Sequence, residues 1–130
     1  VVAINPGRAP HVVDDQIEIA IGIEAVAKAT RNKAPDALIL LHPILPRGKT
    51  ADDQGRRDVV TVNEQLDHLG DLQGVEIIDL ADDFLKPDGT IRAKLYSPDA
   101  LHLSVAGYEA WARALAPRLR AAGLEIPDEP

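Results

Sequence analysis

Two short, continuously apolar runs, at residues 1–4 and 37–41, and a third strand-like segment at 75–80 are separated by segments whose apolar residues return with helical spacing. This alternation constrains the fold more than any other feature. An apolar run without polar alternation suits a strand covered on both faces, as in a parallel sheet. Strands that alternate with helices imply right-handed crossovers, and so an α/β fold with helices layered on a mostly parallel sheet. At 130 residues the chain suffices for one domain, expected over 1–124, with a polar, Pro-containing tail from Glu125 expected to fray.

The first helix is expected from about Asp14 or Asp15 to Asn32. Asp15 and Glu18 have capping-box spacing, and two apolar rows (Ile19, Ile23, Val26 and Ile17, Ile21, Ala25) give a wide apolar face. The second is expected over 56–69, with Val59, Val62, Leu66 and Leu69 as its buried stripe. The third opens at Ser104, a good N-cap, and runs to about Ala122 with Tyr108, Trp111, Leu115 and Leu119 facing inward and Pro117 disturbing its last turns. Between them, Pro43, Pro46 and Gly48 mark a long loop, and Pro87-Asp88-Gly89 marks a turn.

A net charge of −7 and a pI near 4.9 argue against a phosphate backbone or an anionic membrane surface as partner. No apolar run approaches the roughly 20 residues of a membrane-spanning helix. With no Cys, neither a disulfide nor a thiolate metal site can form. Asp79, Asp82 and Asp83 together with His102 could suggest a metal, but acidic residues after a strand are more often a solvated loop, and no matching ligand set appears. The chain opens without Met inside a strand-like run, so further residues are expected upstream of Val1.

In open α/β sheets, chemistry gathers beyond the carboxyl ends of the strands. Three segments fall there: the loop after Ile4, the loop after Leu41, and the stretch leading to Ser97-Pro98-Asp99-Ala100-Leu101-His102. Two residues between Asp99 and His102 let a tight turn set carboxylate against imidazole. One ring nitrogen would then be fixed as a donor, and the other left free to take a proton from a nucleophile. On spacing alone, an Asp that caps a turn and a His at a helix entrance explain the pair as well. His42 stands at a strand's carboxyl end, where it either lines a substrate pocket or simply closes the strand. Arg47 either meets an anionic group of a substrate or is a solvated loop residue.

The segment Asp99-Ala100-Leu101-His102-Leu103-Ser104 with Gly107-Tyr108 resembles the last sequence block of SGNH/GDSL hydrolases. Leu40-Leu41-His42-Pro43-Ile44-Leu45-Pro46-Arg47-Gly48, Val62-Asn63-Glu64-Gln65-Leu66, and Phe84 with Asp88-Gly89 are similar to the platelet-activating factor acetylhydrolase catalytic-subunit branch. The likeness runs from about Ile19 to Leu119. It implies a three-layer, flavodoxin-like parallel sheet and a Ser-His-Asp triad that hydrolyses short acyl esters of carbohydrate or lipid without metal or organic cofactor. Asp99 would orient His102, and His102 would act as general base and then general acid. The family branch often forms dimers.

Two departures qualify the likeness. The family's nucleophile sits in an N-terminal Gly-Asp-Ser block, whereas the only serines here are Ser97 and Ser104, both inside the Asp–His loop. The family follows its third strand with Gly-x-Asn, whose Asn donates to the oxyanion; here the strand runs into Asn5-Pro6-Gly7. Asn5 is therefore either an oxyanion donor in a reshaped loop or a turn residue before Pro6. The expectation is a C-terminal part of a hydrolase domain, inactive alone, whose partner is the missing N-terminal part or a complementary chain. The alternative is a non-catalytic module that binds a glycan or a protein through the same crevice.

Overall fold

A computed structural model describes residues 2–4 and 13–127, with side chains from Gln16 onward. Three parallel strands, β1 (Val2–Ile4), β2 (Ile39–Leu41) and β3 (Val75–Ile77), lie in the order β1-β2-β3. Val2, Ala3 and Ile4 stand opposite Ile39, Leu40 and Leu41, and these in turn opposite Val75, Glu76 and Ile77. The strands are shorter than the apolar runs that announce them. Ala37 and Leu38 lie ahead of the ladder, where the Ala37 N–H is bonded to the Ala34 carbonyl and its own carbonyl to Arg31. Ile78 still donates to the Leu41 carbonyl but leaves the strand geometry.

Helix α1 (Val13–Lys33) and α2 (Gln54–Leu66) pack together, while α3 (Ala81–Phe84) is a single turn and α4 (Val105–Ala121) is the last long helix. Alternation across the pleat sorts the core into two layers. Ile39 and Leu41 of β2 point to one side, into a cluster with Ala20, Ile23 and Ala27 of α1 and Val59, Val62 and Leu66 of α2. Leu40 points to the other side, toward Phe84, Tyr96 and the half-buried Trp111 and Leu115 of α4. The result is the expected helix–sheet–helix sandwich.

Several local expectations change. Helix α1 opens at Val13, so Asp15 lies inside its first turn and is not the cap. Its buried ridge is Gln16, Ala20, Ile23 and Ala27, while Ile17, Ile21 and Val26 lie exposed. Helix α2 begins two residues early, capped by Asp53, whose side chain accepts from the Gly55 N–H at 2.9 Å. It tightens into a 3₁₀ turn over Asp67–Asp71 that still buries Leu69. Helix α4 continues through Pro117, and Tyr108 is 59% exposed rather than inward-facing. The inner row begins with Gly107, where a Cβ would come within 2.0 Å of the Leu95 carbonyl oxygen. Only glycine allows α4 to enter so close to that segment.

Candidate active site

The Asp99–His102 turn is built from its own backbone. Tyr96 and Leu103 pair as an antiparallel bridge, the Ser97 N–H donates to the His102 carbonyl at 2.8 Å, and the Ala100 N–H donates to Ser97 at 2.9 Å. Closing so short a loop forces Ala100 into the left-handed region, at φ 53°, which is uncommon for a residue with a Cβ. Ser104 then ends the loop and starts α4. Its hydroxyl donates to the Lys94 carbonyl at 2.7 Å and accepts from the Gly107 N–H at 3.1 Å.

Within the turn the carboxylate is gripped on both oxygens. Asp99 Oδ1 accepts from the N–H groups of Leu101 and His102, each at 3.0 Å, which fixes the plane of the group. Oδ2 is thereby aimed at the imidazole, and His102 Nδ1 lies 2.6 Å from it. An ionised carboxylate only accepts, so Nδ1 carries the proton, and in the neutral ring Nε2 is left as the acceptor. The His102 hydrogen bond, followed by the two backbone N–H groups, holds the Asp99 carboxyl down to about 2. The His102 side chain is 59% exposed and reachable by a reacting group.

The loop after β2 forms the opposite wall. The Gly48 N–H donates to the Ala100 carbonyl at 2.9 Å, joining this loop directly to the Asp–His turn. Arg47, Gly48, Lys49, Asp53, Asp99 and Ala100 enclose a polar cavity of about 190 Å³. Arg47 thus lines the same cavity as Asp99. His42 is placed differently. It is buried, its Nε2 accepts from the Trp111 indole N–H at 2.9 Å, and its Nδ1 is 2.5 Å from the Pro43 carbonyl. Indole only donates, so the ring is neutral with the proton on Nδ1, and both its nitrogens are engaged in tying α4 to the end of β2. Asn5 lies outside the described residues. Asp79 accepts from the Ala81 N–H at 2.9 Å, and no group of three or more metal-ligating side chains gathers among the described residues.

Three contributors were not anticipated from sequence. Arg56 is buried and donates to three carbonyls of the surrounding loops. The Tyr96 hydroxyl, pushed up to about 12 by burial, donates to the Pro46 carbonyl at 2.6 Å. Asn63 bonds both the N–H and the carbonyl of Ile44, each at 2.9 Å. Arg56 was detectable in principle. It extends the stripe of Val59, Val62, Leu66 and Leu69 backward by one turn, and a cation on a core stripe signals a guanidinium with internal acceptors.

Residues 4–110 match the GDSL-like Lipase/Acylhydrolase family. The chain belongs to that family. The alpha2 subunits of platelet-activating factor acetylhydrolase IB from rat and mouse are each 33% identical over 92 residues, 70% of this chain and 39% of their own length. The chain therefore spans well under half of the curated relatives it matches. Among solved structures, the esterase domain of the ORF1 protein of the zebrafish ZfL2-1 retrotransposon aligns with a TM-score of 0.66 at 21% identity, covering 81% of this chain and 63% of that one. A GDSL-like lipase from Bacteroides thetaiotaomicron aligns with a TM-score of 0.66 at 12% identity, covering 82% and 53%. At such identities these two structures speak for the GDSL-type α/β fold alone.

Proposed function

We propose that this chain supplies the Asp–His half of a serine ester hydrolase, with the nucleophilic hydroxyl coming from polypeptide outside this sequence. The observation that carries the reading is the 2.6 Å contact between Asp99 and His102 Nδ1, with the carboxylate locked by two backbone N–H groups and the ring exposed. In this reading Nε2 takes the proton as the hydroxyl oxygen attacks the acyl carbon. It then returns that proton to the departing alkoxide. Water repeats the cycle on the acyl-enzyme, releasing the acid and the free hydroxyl. Asp99 keeps the ring in the reactive tautomer and stabilises the imidazolium. Asn5 remains the proposed oxyanion donor.

Neither serine of the chain suits the nucleophile's role. The Ser104 hydroxyl is occupied on both sides as a helix cap, and Ser97 is built into the turn through its own N–H. On the substrate side, short acyl esters of carbohydrate or lipid are proposed, with the polar alcohol portion seated against Arg47 and Lys49 in the cavity beside Asp99. Under this reading Arg47→Ala raises KM about tenfold and changes kcat little, a loss confined to binding. A binding module without catalysis is the second reading, favoured by Asn5-Pro6-Gly7 where the family has Gly-x-Asn.

A fluorophosphonate probe and p-nitrophenyl acetate test the proposal. The isolated chain is expected to form no covalent adduct and to show no His102-dependent turnover. An adduct on Ser97 or Ser104, or turnover by this chain alone that vanishes in His102→Ala, overturns the external-nucleophile reading. A completed domain that takes up no probe favours the binding module.

A further inference from the structure

We propose that Arg56 is a positioning residue for the Asp99–His102 pair, acting through the backbone of the loop after β2. The proposal rests on the catalytic reading of that pair, but its test reads the pair's own geometry and so fails or stands separately.

Arg56 is 5% exposed, among the most buried charged side chains described. Burying a guanidinium is unfavourable unless its donors are satisfied. Here Nε donates to the Arg47 carbonyl at 2.8 Å, Nη2 to the Gly48 carbonyl at 3.0 Å, and Nη1 to the Gly89 carbonyl at 3.0 Å. None of these acceptors is a carboxylate. The side chain is spent on main-chain oxygens of two loops, a task that suits the rigid planar fork of Arg and not the point charge of Lys.

The bonded chain continues from there to the pair. Gly48, held through its carbonyl by Arg56, passes its own N–H to the Ala100 carbonyl at 2.9 Å. Ala100 is the residue at φ 53°, and left-handed backbone at a non-glycine persists only when its surroundings hold it. Its conformation aims the next two N–H groups, of Leu101 and His102, at Asp99 Oδ1. Tyr96 provides a second tether, from the start of the same turn to the Pro46 carbonyl. Gly48 has its own constraint, since at φ 77° a Cβ would fall 2.4 Å from the Asp53 carboxyl carbon. The Asp–His geometry is thus specified from α2, more than 40 residues away in sequence.

The experiment compares the full chain with Arg56→Met, Arg56→Lys and Tyr96→Phe. Carbon-13 NMR follows the Asp99 carboxyl titration, and proton NMR follows the His102 Nδ1–H. Circular dichroism selects the variants that remain folded. In the unaltered chain Asp99 is expected to titrate at about 2. Both Arg56 variants are expected to raise its proton affinity roughly tenfold, one unit of pKa, and to weaken the low-field His102 signal. Tyr96→Phe moves both in the same direction by less. A folded Arg56→Met with an unchanged titration and imidazole proton overturns the proposal. So does an Arg56→Lys identical to the parent beside a shifted Arg56→Met, since charge alone would then suffice. Should both Arg56 variants unfold, Tyr96→Phe decides, and an unshifted pair in it overturns the proposal.

Discussion

Asp99 keeps its charge because three N–H donors converge on it, one from the imidazole and two from the backbone. Its pKa is depressed from 3.8 to about 2, so the linkage sign is that of a carboxylate stabilised by folding. The stabilising contribution is fully present above about pH 4 and is lost as pH falls from there through about 2. The pair is exposed, so salt should weaken the effect. Asp99→Asn should remove this part of the acid transition, measured by circular dichroism from pH 5 to pH 1.5 at low and high salt. An unaltered acid limb in the variant would contradict the assignment. His42 gives the converse case, a buried ring whose Nε2 depends on one indole donor. Trp111→Phe keeps most of the apolar bulk and orphans that nitrogen, and should cost about 1–3 kcal/mol in urea denaturation. A change below about 0.5 kcal/mol would mean that water replaces the donor without loss.

Helix α2 is the organising element of the site. From one face it contributes Val59, Val62 and Leu66 to the core, and from its first turn Arg56 to the loops. Asn63 bonds the Ile44 peptide on both sides and fixes where the loop after β2 begins. Helix α4 depends on its entrance instead. Gly107→Ala should destabilise by about 1–3 kcal/mol, since the added methyl meets a carbonyl and not a flexible side chain. A thermal midpoint in that variant equal to the parent's would show that α4 can shift outward freely. The elements that could be read in advance were those with long, regular periodicity: α2's stripe and the Ser104 cap follow from local chemistry alone. Helix α1 departs from its expected buried face because apolar residues lie around most of it. Periodicity then could not distinguish the ridge of Ala20, Ile23 and Ala27 from the exposed Ile17 and Ile21. The network of Arg56 and Tyr96 was hidden for another reason, because carbonyl acceptors on distant loops leave no mark in a side-chain pattern.

At the scale of the whole molecule, α1 exposes apolar surface. Ile17, Ile21 and Val26 are each more than half exposed, and a wide apolar helix face is normally covered. Strand β1 pairs only with β2 among the described strands. Unpaired strand edges and exposed apolar faces promote association. Under the external-nucleophile reading, the isolated chain should self-associate at micromolar concentration in sedimentation experiments, and Ile17→Glu with Ile21→Lys should reduce this. A strictly monomeric parent chain would contradict that expectation. The layered α/β order was legible from strand–helix alternation because each crossover is a local event. The Asp–His pair was legible because its partners are three residues apart. The proposed nucleophile leaves no such trace, since no serine of this chain stands outside the turn and its helix cap. The most direct measurement is p-nitrophenyl acetate turnover by this chain completed with a Gly-Asp-Ser-bearing N-terminal part, in the parent, Asp99→Asn and His102→Ala forms. The account predicts turnover in the parent and a fall of roughly 10³-fold or more in both variants, as when a triad member is lost. Turnover that persists undiminished without His102 would contradict it.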